Sequence, residues 1–269
     1  MTMTLNNKTP QRIRHETRLR VLDVQAVRHL TPLMLRVTLA GEDLAGFSSP
    51  GYSDHIKIFF PSGPEPVLPV LGPDGLIFPD DRPRPQMRDY TPRTFHAATN
   101  TLDVDFVLHG DGPASSWAAQ ARPGQKIVIG GPRGSMIVPD AFDWYLLAGD
   151  ETALPAIGRR LEELPQTARA LAIVEVAGKE EEQRIETGAA AEIIWVHRDG
   201  MEAGNNDLLL RRIETLDLPE GDCYAFIAAE SGISKAIRAH LVDQRGFNEA
   251  WVKAAGYWLR GVADAHESH

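Results

Sequence analysis

Residues 144–165 read WYLLAGDETALPAIGRRLEELP, and their two periods decide the architecture of the second half of the chain. WYLLAG is a continuous apolar run that ends at Gly149, as a strand buried on both faces does. In the residues that follow, Leu154, Ile157, Leu161 and Leu164 recur at helical spacing. The strand–helix alternation continues. ALAIVEV (170–176) and EIIWVH (192–197) are strands, and NDLLLRRIETL (206–216) is a helix with Asn206 or Asp207 as cap. CYAFIAAE (223–230) is a fourth strand, followed by the helix SGISKAIRAHLVDQRG (231–246), which Gly246 stops. Such alternation predicts a parallel sheet with helices on both faces.

Upstream of about residue 138 the pattern is different. VLDVQAVRHLTPLMLRVTLAG (21–41) holds two β-branched runs around a Thr-Pro turn. DHIKIFFP (54–61) puts Ile56, Ile58 and Phe60 on one face and Lys57 and Phe59 on the other. A hairpin is expected where RTFHAA and TLDVDFVLHG flank residues 99–101, and QKIVIGGPRGSMIV (125–138) gives a further strand. Many short strands with few helical patterns predict an antiparallel barrel or sandwich. Residues 61–85 contain eight prolines and three glycines and read as a long loop outside the barrel. The expected division is a β-domain over 15–139 and an α/β domain over 140–269.

Composition removes several function classes. The net charge of −9 makes a general nucleic-acid binder a poor reading, because phosphate is repelled. The basic N-terminal arm (Lys8, Arg12, Arg14, Arg18, Arg20) reads as a solvated, frayed terminus. No apolar run approaches the roughly 20 residues that span a bilayer, and the first residues lack the apolar core of a signal peptide, so a cytoplasmic protein is expected. The single Cys223, in an apolar run, reads as a buried structural thiol. The nine histidines show no metal-ligand spacing, and there is no GxSxG elbow.

Two segments carry chemistry. RDYTPR (88–93) holds an aromatic plane, a hydroxyl and forked cations within six residues, which are the groups a flavin dinucleotide needs for its ring, its reactive nitrogen and its pyrophosphate. As a strand it would put Arg88 and Tyr90 on one side and Thr91 and Arg93 on the other. HGDGPASSWAAQ (109–120) then makes a glycine turn into a helix start, where Ser115 and Ser116 would face an anion or simply cap the helix.

RDYTPRTF (88–95), DFVLHGDGPASSWA (105–118), IGGPRGSM (129–136), YLLAGDETALPAI (145–157) and GYWLRG (256–261), in this order, resemble the siderophore-interacting protein family of the ferredoxin-reductase-like superfamily. The resemblance implies an N-terminal antiparallel β-barrel FAD domain and a C-terminal parallel-sheet α/β domain for NADPH or NADH, with the C-terminal segment returning to the flavin. It implies that Tyr90 packs on the isoalloxazine, Thr91 bonds near N5, and Arg88 or Arg93 meets the pyrophosphate. Asp105, Val107 and His109 would contact the flavin or its ribitol; Gly112, Ala114, Ser115 and Ser116 would cradle the diphosphate, with Trp117 beside it. Asp150, Glu151 and Thr152 become candidates for the hydride-transfer face, with 229–232 (AESG) at the next strand–helix turn.

The implied activity is reduction of a ferric siderophore with release of Fe(II). The implied partner is a small anionic chelate, met by a monomer. An anionic chelate calls for basic side chains whatever the net charge. Lys57, Arg84, Arg133 and Lys253 are the candidates, with Arg82 and Arg260 behind them. At 178–185 (GKEEEQRI) three glutamates disfavour a 2′-phosphate while Lys179 and Arg184 favour one, so the donor stays open. A related flavin reductase with another donor or acceptor, or a non-catalytic binder of ferric siderophores, are the alternative readings.

Overall fold

The computed structural model describes residues 8–61, 63, 66–73, 75–81, 83–110 and 112–262. Arg82, named above, lies outside them. The chain divides into two compact units, one of residues 11–137 and one of residues 8–10 together with 138–262.

The first unit holds β1 (Gln11–Arg14), β2 (Leu19–Thr31), β3 (Met34–Ala40), β4 (Ile56–Phe60), β5 (Val70–Gly72), β6 (Gly75–Ile77), β7 (Gln86–Tyr90), β8 (Thr94–His96), β9 (Thr101–Val107), the short helix α1 (Pro113–Ala119), β10 (Lys126–Gly130) and β11 (Gly134–Ile137). Seven of these strands form one curled antiparallel sheet in the order β7-β4-β10-β2-β3-β9-β8. Its edges, β7 and β8, are not paired with each other, so the sheet is a half-barrel and not a closed one. The alternation read in the sequence sets its core. Leu22, Val24, Val37, Leu39, Ile56, Ile58, Leu102, Val104, Phe106, Ile127 and Ile129 point to one side and are buried together.

Two expectations need correction here. The proline-rich segment is not loop throughout, because β5 and β6 pair as a small hairpin. The segment also covers the outer face of the sheet: Phe78 lies 6.3 Å from Phe59, which is buried although it alternates with the core residues. The basic arm is not frayed. β1 pairs with β11, and ahead of it Lys8 Nζ bonds Asp222 at 2.6 Å and lies 3.7 Å from Asp143. The same ammonium sits within 6 Å of the Phe142 and Trp251 ring centroids, a distance at which rings attract cations.

The second unit holds β12 (Trp144–Asp150), α2 (Leu154–Glu163), β13 (Arg169–Val176), β14 (Ala190–His197), α3 (Leu208–Glu214), β15 (Cys223–Glu230), α4 (Ser231–Ala239) and β16 (Val252–Trp258). The sheet is wholly parallel, in the order β14-β13-β12-β15-β16. Helices α3 and α4 bury Leu209, Ile213 and Ile237 against Leu146, Ala148, Ile173 and Ile227. On the other face α2 comes so close that a Cβ on Gly149 would stand 2.6 Å from the Ala153 side chain and 2.3 Å from the Ala228 carbonyl. Glycine is therefore required at the end of β12. Asp207 is the N-cap residue of α3 but makes no side-chain cap bond; Asn206, just ahead of it, accepts from the Leu208 N–H at 3.0 Å. Cys223 is buried, and burial pushes its thiol pKa far up. The fifth strand, β16, was not expected from the sequence; it takes up the first half of GYWLRG.

Candidate functional site

The first group of candidate residues gathers around four rings. In β7, Arg88 and Tyr90 stand opposite Ile58 and Ile56 of β4 and share their face of the sheet. The Tyr90 ring lies 4.4 Å from that of Phe106 at 38°. Trp117, on α1, lies 5.5 Å from Phe106 and 5.8 Å from Phe60. Tyr90 keeps part of its surface exposed, and its apolar surroundings push the phenol pKa far above its ordinary value. Burial lowers the Arg88 pKa, and Arg88 Nη1 donates to the Met87 carbonyl at 2.8 Å.

The strand ends at Tyr90, so Thr91 and Arg93 do not share its far face as expected. Pro92 has no N–H to continue a ladder. Arg93 instead donates its backbone N–H to Asp103 O at 2.9 Å and turns its guanidinium to Asp105, 3.8 Å away. Asp105 is buried and gripped by Arg36 through two bonds of 2.6 and 2.8 Å. It precedes Phe106 in β9 and so lies on the opposite side of the sheet from the ring cluster. Val107, half-buried, ends the strand on the Asp105 side. Arg93 and Asp105 are thereby drawn into an internal ion-pair cluster, apart from Tyr90.

After β9 the backbone turns through Gly110, whose φ of +51° is left-handed. The turn is stapled from within: His109 donates its N–H to Ser115 Oγ at 2.9 Å. Gly112 caps α1, Pro113 opens it, and Ser116 donates its N–H back to the Gly112 carbonyl at 2.8 Å. A Cβ built on Gly110 or Gly112 meets nothing within 4 Å. Ala114 and Ser116 are half-buried beside this open turn.

The second group lies at the carboxyl ends of the parallel strands. Asp150 closes β12, buried, and accepts four hydrogen bonds. Oδ1 takes the Thr152 N–H at 2.9 Å and its hydroxyl at 2.5 Å; Oδ2 takes the Glu230 N–H at 3.2 Å and Trp258 Nε1–H at 2.8 Å. Desolvation, and then the neighbouring Glu151, push its pKa up to about 6. Glu151 is held by Arg198 through bonds of 2.5 and 2.7 Å, and the same guanidinium lies 3.5 Å from Glu175. Glu175 Oε2 is buried with no hydrogen-bond partner among the described residues, and burial raises the pKa of this carboxyl. Glu230 caps α4, accepting from the Gly232 and Ile233 N–H groups. The Arg198–Glu151–Glu175 cluster and Trp258 were not assigned from the sequence. A lone acid inside the apolar ALAIVEV was a signal that could have found Glu175.

Residues 23–136 match the family profile described as "Siderophore-interacting FAD-binding domain", and residues 142–261 match the one described as "Siderophore-interacting protein". The chain is 34% identical to the NADPH-dependent ferric-chelate reductase of Escherichia coli (strain K12), over 94% of this chain and 99% of that one. The chain belongs to the siderophore-interacting protein family. It is also 36% identical to the ferric vibriobactin reductase ViuB of Vibrio cholerae serotype O1, over 90% of each chain. The crystal structure of a siderophore utilization protein from T. fusca superposes with a TM-score of 0.88 at 41% identity, covering 96% of this chain and 98% of that one.

The family's FAD fits the first group. A partly exposed ring on a rigid aromatic base offers a flat face, and the open side of Gly110 and Gly112 leaves room for a bulky diphosphate. The basic candidates of this unit are dispersed. Lys57 is paired with Asp89 at 2.7 Å, Arg84 lies over the Phe78 ring at 5.5 Å, and Arg133 is exposed after the Gly131–Pro132 turn. Lys253 is the second residue of β16, level with Phe226 and Leu147, three residues short of the row that ends β12.

Proposed function

We propose that this chain is an FAD-dependent reductase that takes electrons from NADPH or NADH and reduces a ferric siderophore, so that iron is released as Fe(II) for assimilation. The observation that carries the reading is the partly exposed Tyr90 ring seated 4.4 Å from Phe106 beside the open glycine turn, in the half of the chain whose family is described by FAD binding.

Bound flavin supplies the conversion of a two-electron hydride donor into one-electron delivery to Fe(III). The chain supplies binding, orientation and charge. Tyr90 would stack on the ring, with Phe60, Phe106 and Trp117 packed behind the tyrosine. Arg88 would balance diphosphate charge, while Ala114 and Ser115 would offer backbone N–H groups from the first turn of α1 and Ser116 its hydroxyl, its own N–H being taken by the Gly112 carbonyl. Thr91, buried just beyond β7, would supply a hydroxyl to the flavin. In the other unit, Asp150, Glu151 and Thr152 line the strand ends where open α/β sheets take nucleotides. Within the first unit, Lys57, Arg84 and Arg133 are the residues we assign to positive charge for an anionic chelate, Lys57 only when its pair with Asp89 opens. Fe(II) binds hard anionic oxygens less tightly than Fe(III), so reduction itself loosens the cargo.

The name of the Escherichia coli relative favours NADPH as donor. The reading carries with it a cytoplasmic monomer; among the described residues no helix is long and apolar enough to cross a membrane. The test is a visible spectrum of the purified protein, then anaerobic titration with NADPH and NADH, then addition of a ferric tris-catecholate with a chromogenic Fe(II) trap. Failure to take up FAD, or flavin that neither nucleotide bleaches, overturns the reading.

A further inference from the structure

The sheet of the second unit reverses its strand order between β12 and β15, and open α/β sheets bind ligands at the carboxyl ends of the strands at such a switch point. Asp150 and Glu230 are the last residues of those two strands. One side chain reaches across them from β16. The pairing of β15 with β16 shifts register so that Ala229 pairs with Gly256 but Glu230 with Trp258, which leaves Tyr257 as a bulge. A bulge re-aims the next side chain, and here it carries the Trp258 indole over Glu230 to Asp150 Oδ2. From the other side the loop after β14 closes on the indole. Gly204, at φ +67°, approaches so closely that a Cβ there would stand 2.5 Å from the ring.

A tryptophan that merely filled the core would bury its ring and satisfy its N–H on any carbonyl. Trp258 is partly exposed and spends its N–H on a buried carboxylate whose other three bonds come from Thr152 and Glu230. The carboxylate fixes the direction of the indole N–H, and the close approach of Gly204 restricts rotation of the ring about it. A flat, oriented ring at the switch point is complementary to a flat, uncharged or singly charged heteroaromatic group.

We infer that Trp258, aimed by its hydrogen bond to Asp150, is a wall of the site that receives the nicotinamide end of the donor, with Asp150 as its positioning residue. The inference rests on the pyridine-nucleotide reading above. Around Asp150 stand Glu151 beyond β12, Glu175 on β13, Arg198 beyond β14 and Glu230 on β15. Arg198 feels Asp150 but is engaged by Glu151 and Glu175, and among the described residues Asp150 has no ion pair of its own, in keeping with its pKa near 6. Below that pH a protonated Asp150 is a weaker acceptor for the indole N–H.

The experiment is anaerobic reduction of the FAD-loaded protein at varied NADPH and NADH, for the wild type, Trp258→Phe, Asp150→Asn and the double variant. Trp258→Phe keeps a ring and loses the donor. Asp150→Asn must turn its amide N–H groups toward one of two pairs of existing donors. Each single variant is expected to weaken donor binding about fivefold, and the double variant no further, because the two residues act as one unit. Wild-type binding should weaken as pH falls through about 6, and Asp150→Asn should lack that step; the comparison cancels titration of the NADPH 2′-phosphate. A second readout needs no turnover: NAD+ or NADP+ added to the flavin-free protein should quench a component of the indole emission that Trp258→Phe lacks. Wild-type flavin that neither nucleotide reduces would overturn the functional reading. Reduction that is normal in both single variants, or identical pH profiles in wild type and Asp150→Asn, would overturn this inference alone.

Discussion

Lys57 Nζ lies 2.7 Å from Asp89 Oδ1, and the two residues stand directly opposite each other on β4 and β7. The lysine offered to an anionic chelate is thus already neutralised, on a partly exposed surface where such a pair contributes little stability. Asp89→Asn should strengthen binding of a ferric tris-catecholate roughly two- to fivefold by releasing the ammonium, and Lys57→Glu should raise its KM about tenfold. Steady-state kinetics with the chelate varied at low ionic strength measure both. If Asp89→Asn leaves KM unchanged, Lys57 does not face the substrate.

Asp105 gives a prediction of a different kind. Its carboxylate is almost fully buried and holds two bonds from Arg36, with Arg93 nearby. Removing the charge takes from Arg36 its nearest carboxylate, although Asp103 stays 4.0 Å away, and breaking a buried pair costs about 3 kcal/mol or more. Asp105→Asn should lower the urea midpoint of the flavin-free protein, while FAD affinity measured under stabilising conditions stays near wild type. A selective loss of FAD affinity without destabilisation would instead return Asp105 to the cofactor site.

Tyr90 should behave in the opposite way. Its ring lies 4.4 Å from that of Phe106, and the residue keeps part of its surface exposed. Tyr90→Ala should weaken FAD binding about tenfold or more, and Tyr90→Phe should retain most of it, because the aromatic plane matters more than the hydroxyl. Release of fluorescent flavin on dilution reports both.

What the sequence made legible was local. Alternation at Ile56, Ile58 and Phe60, and helical spacing at Leu154, Ile157, Leu161 and Leu164, reported burial that depends only on which face meets a core. What escaped depends on partners distant along the chain. Lys8 looked like part of a loose arm because the carboxylate that fastens it is 214 residues away. WVKAAGYW showed no period of its own and becomes a strand because β15 offers it a ladder. Within the site, Arg88 and Tyr90 could be read as one face of one strand. The diversion of Arg93 to Asp105 could not, since it requires β9 to lie beside β8 and to turn an acid outward at that row. Trp258 and Asp150, 108 residues apart, are joined only by the fold.

Asp150 also leaves a signature in the pH dependence of stability. Its pKa in the folded protein, about 6, is above the ordinary aspartate value of 3.8. The folded state therefore holds this proton more tightly than the unfolded state, and between those two values the folded state is the more protonated. Stability contributed by this group is full below pH 3.8, falls as pH rises through the window, and is constant above about 6. Two pKa units correspond to up to about 3 kcal/mol. Asp150→Asn cannot titrate, and it loses hydrogen bonds by an amount that does not vary with pH. The difference in unfolding free energy between wild type and Asp150→Asn should therefore shift in favour of the variant as pH is raised from 4 to 7. Urea unfolding at half-unit pH steps measures it. A difference that stays flat across this range would show that Asp150 ionises normally, and that its four hydrogen bonds offset its burial.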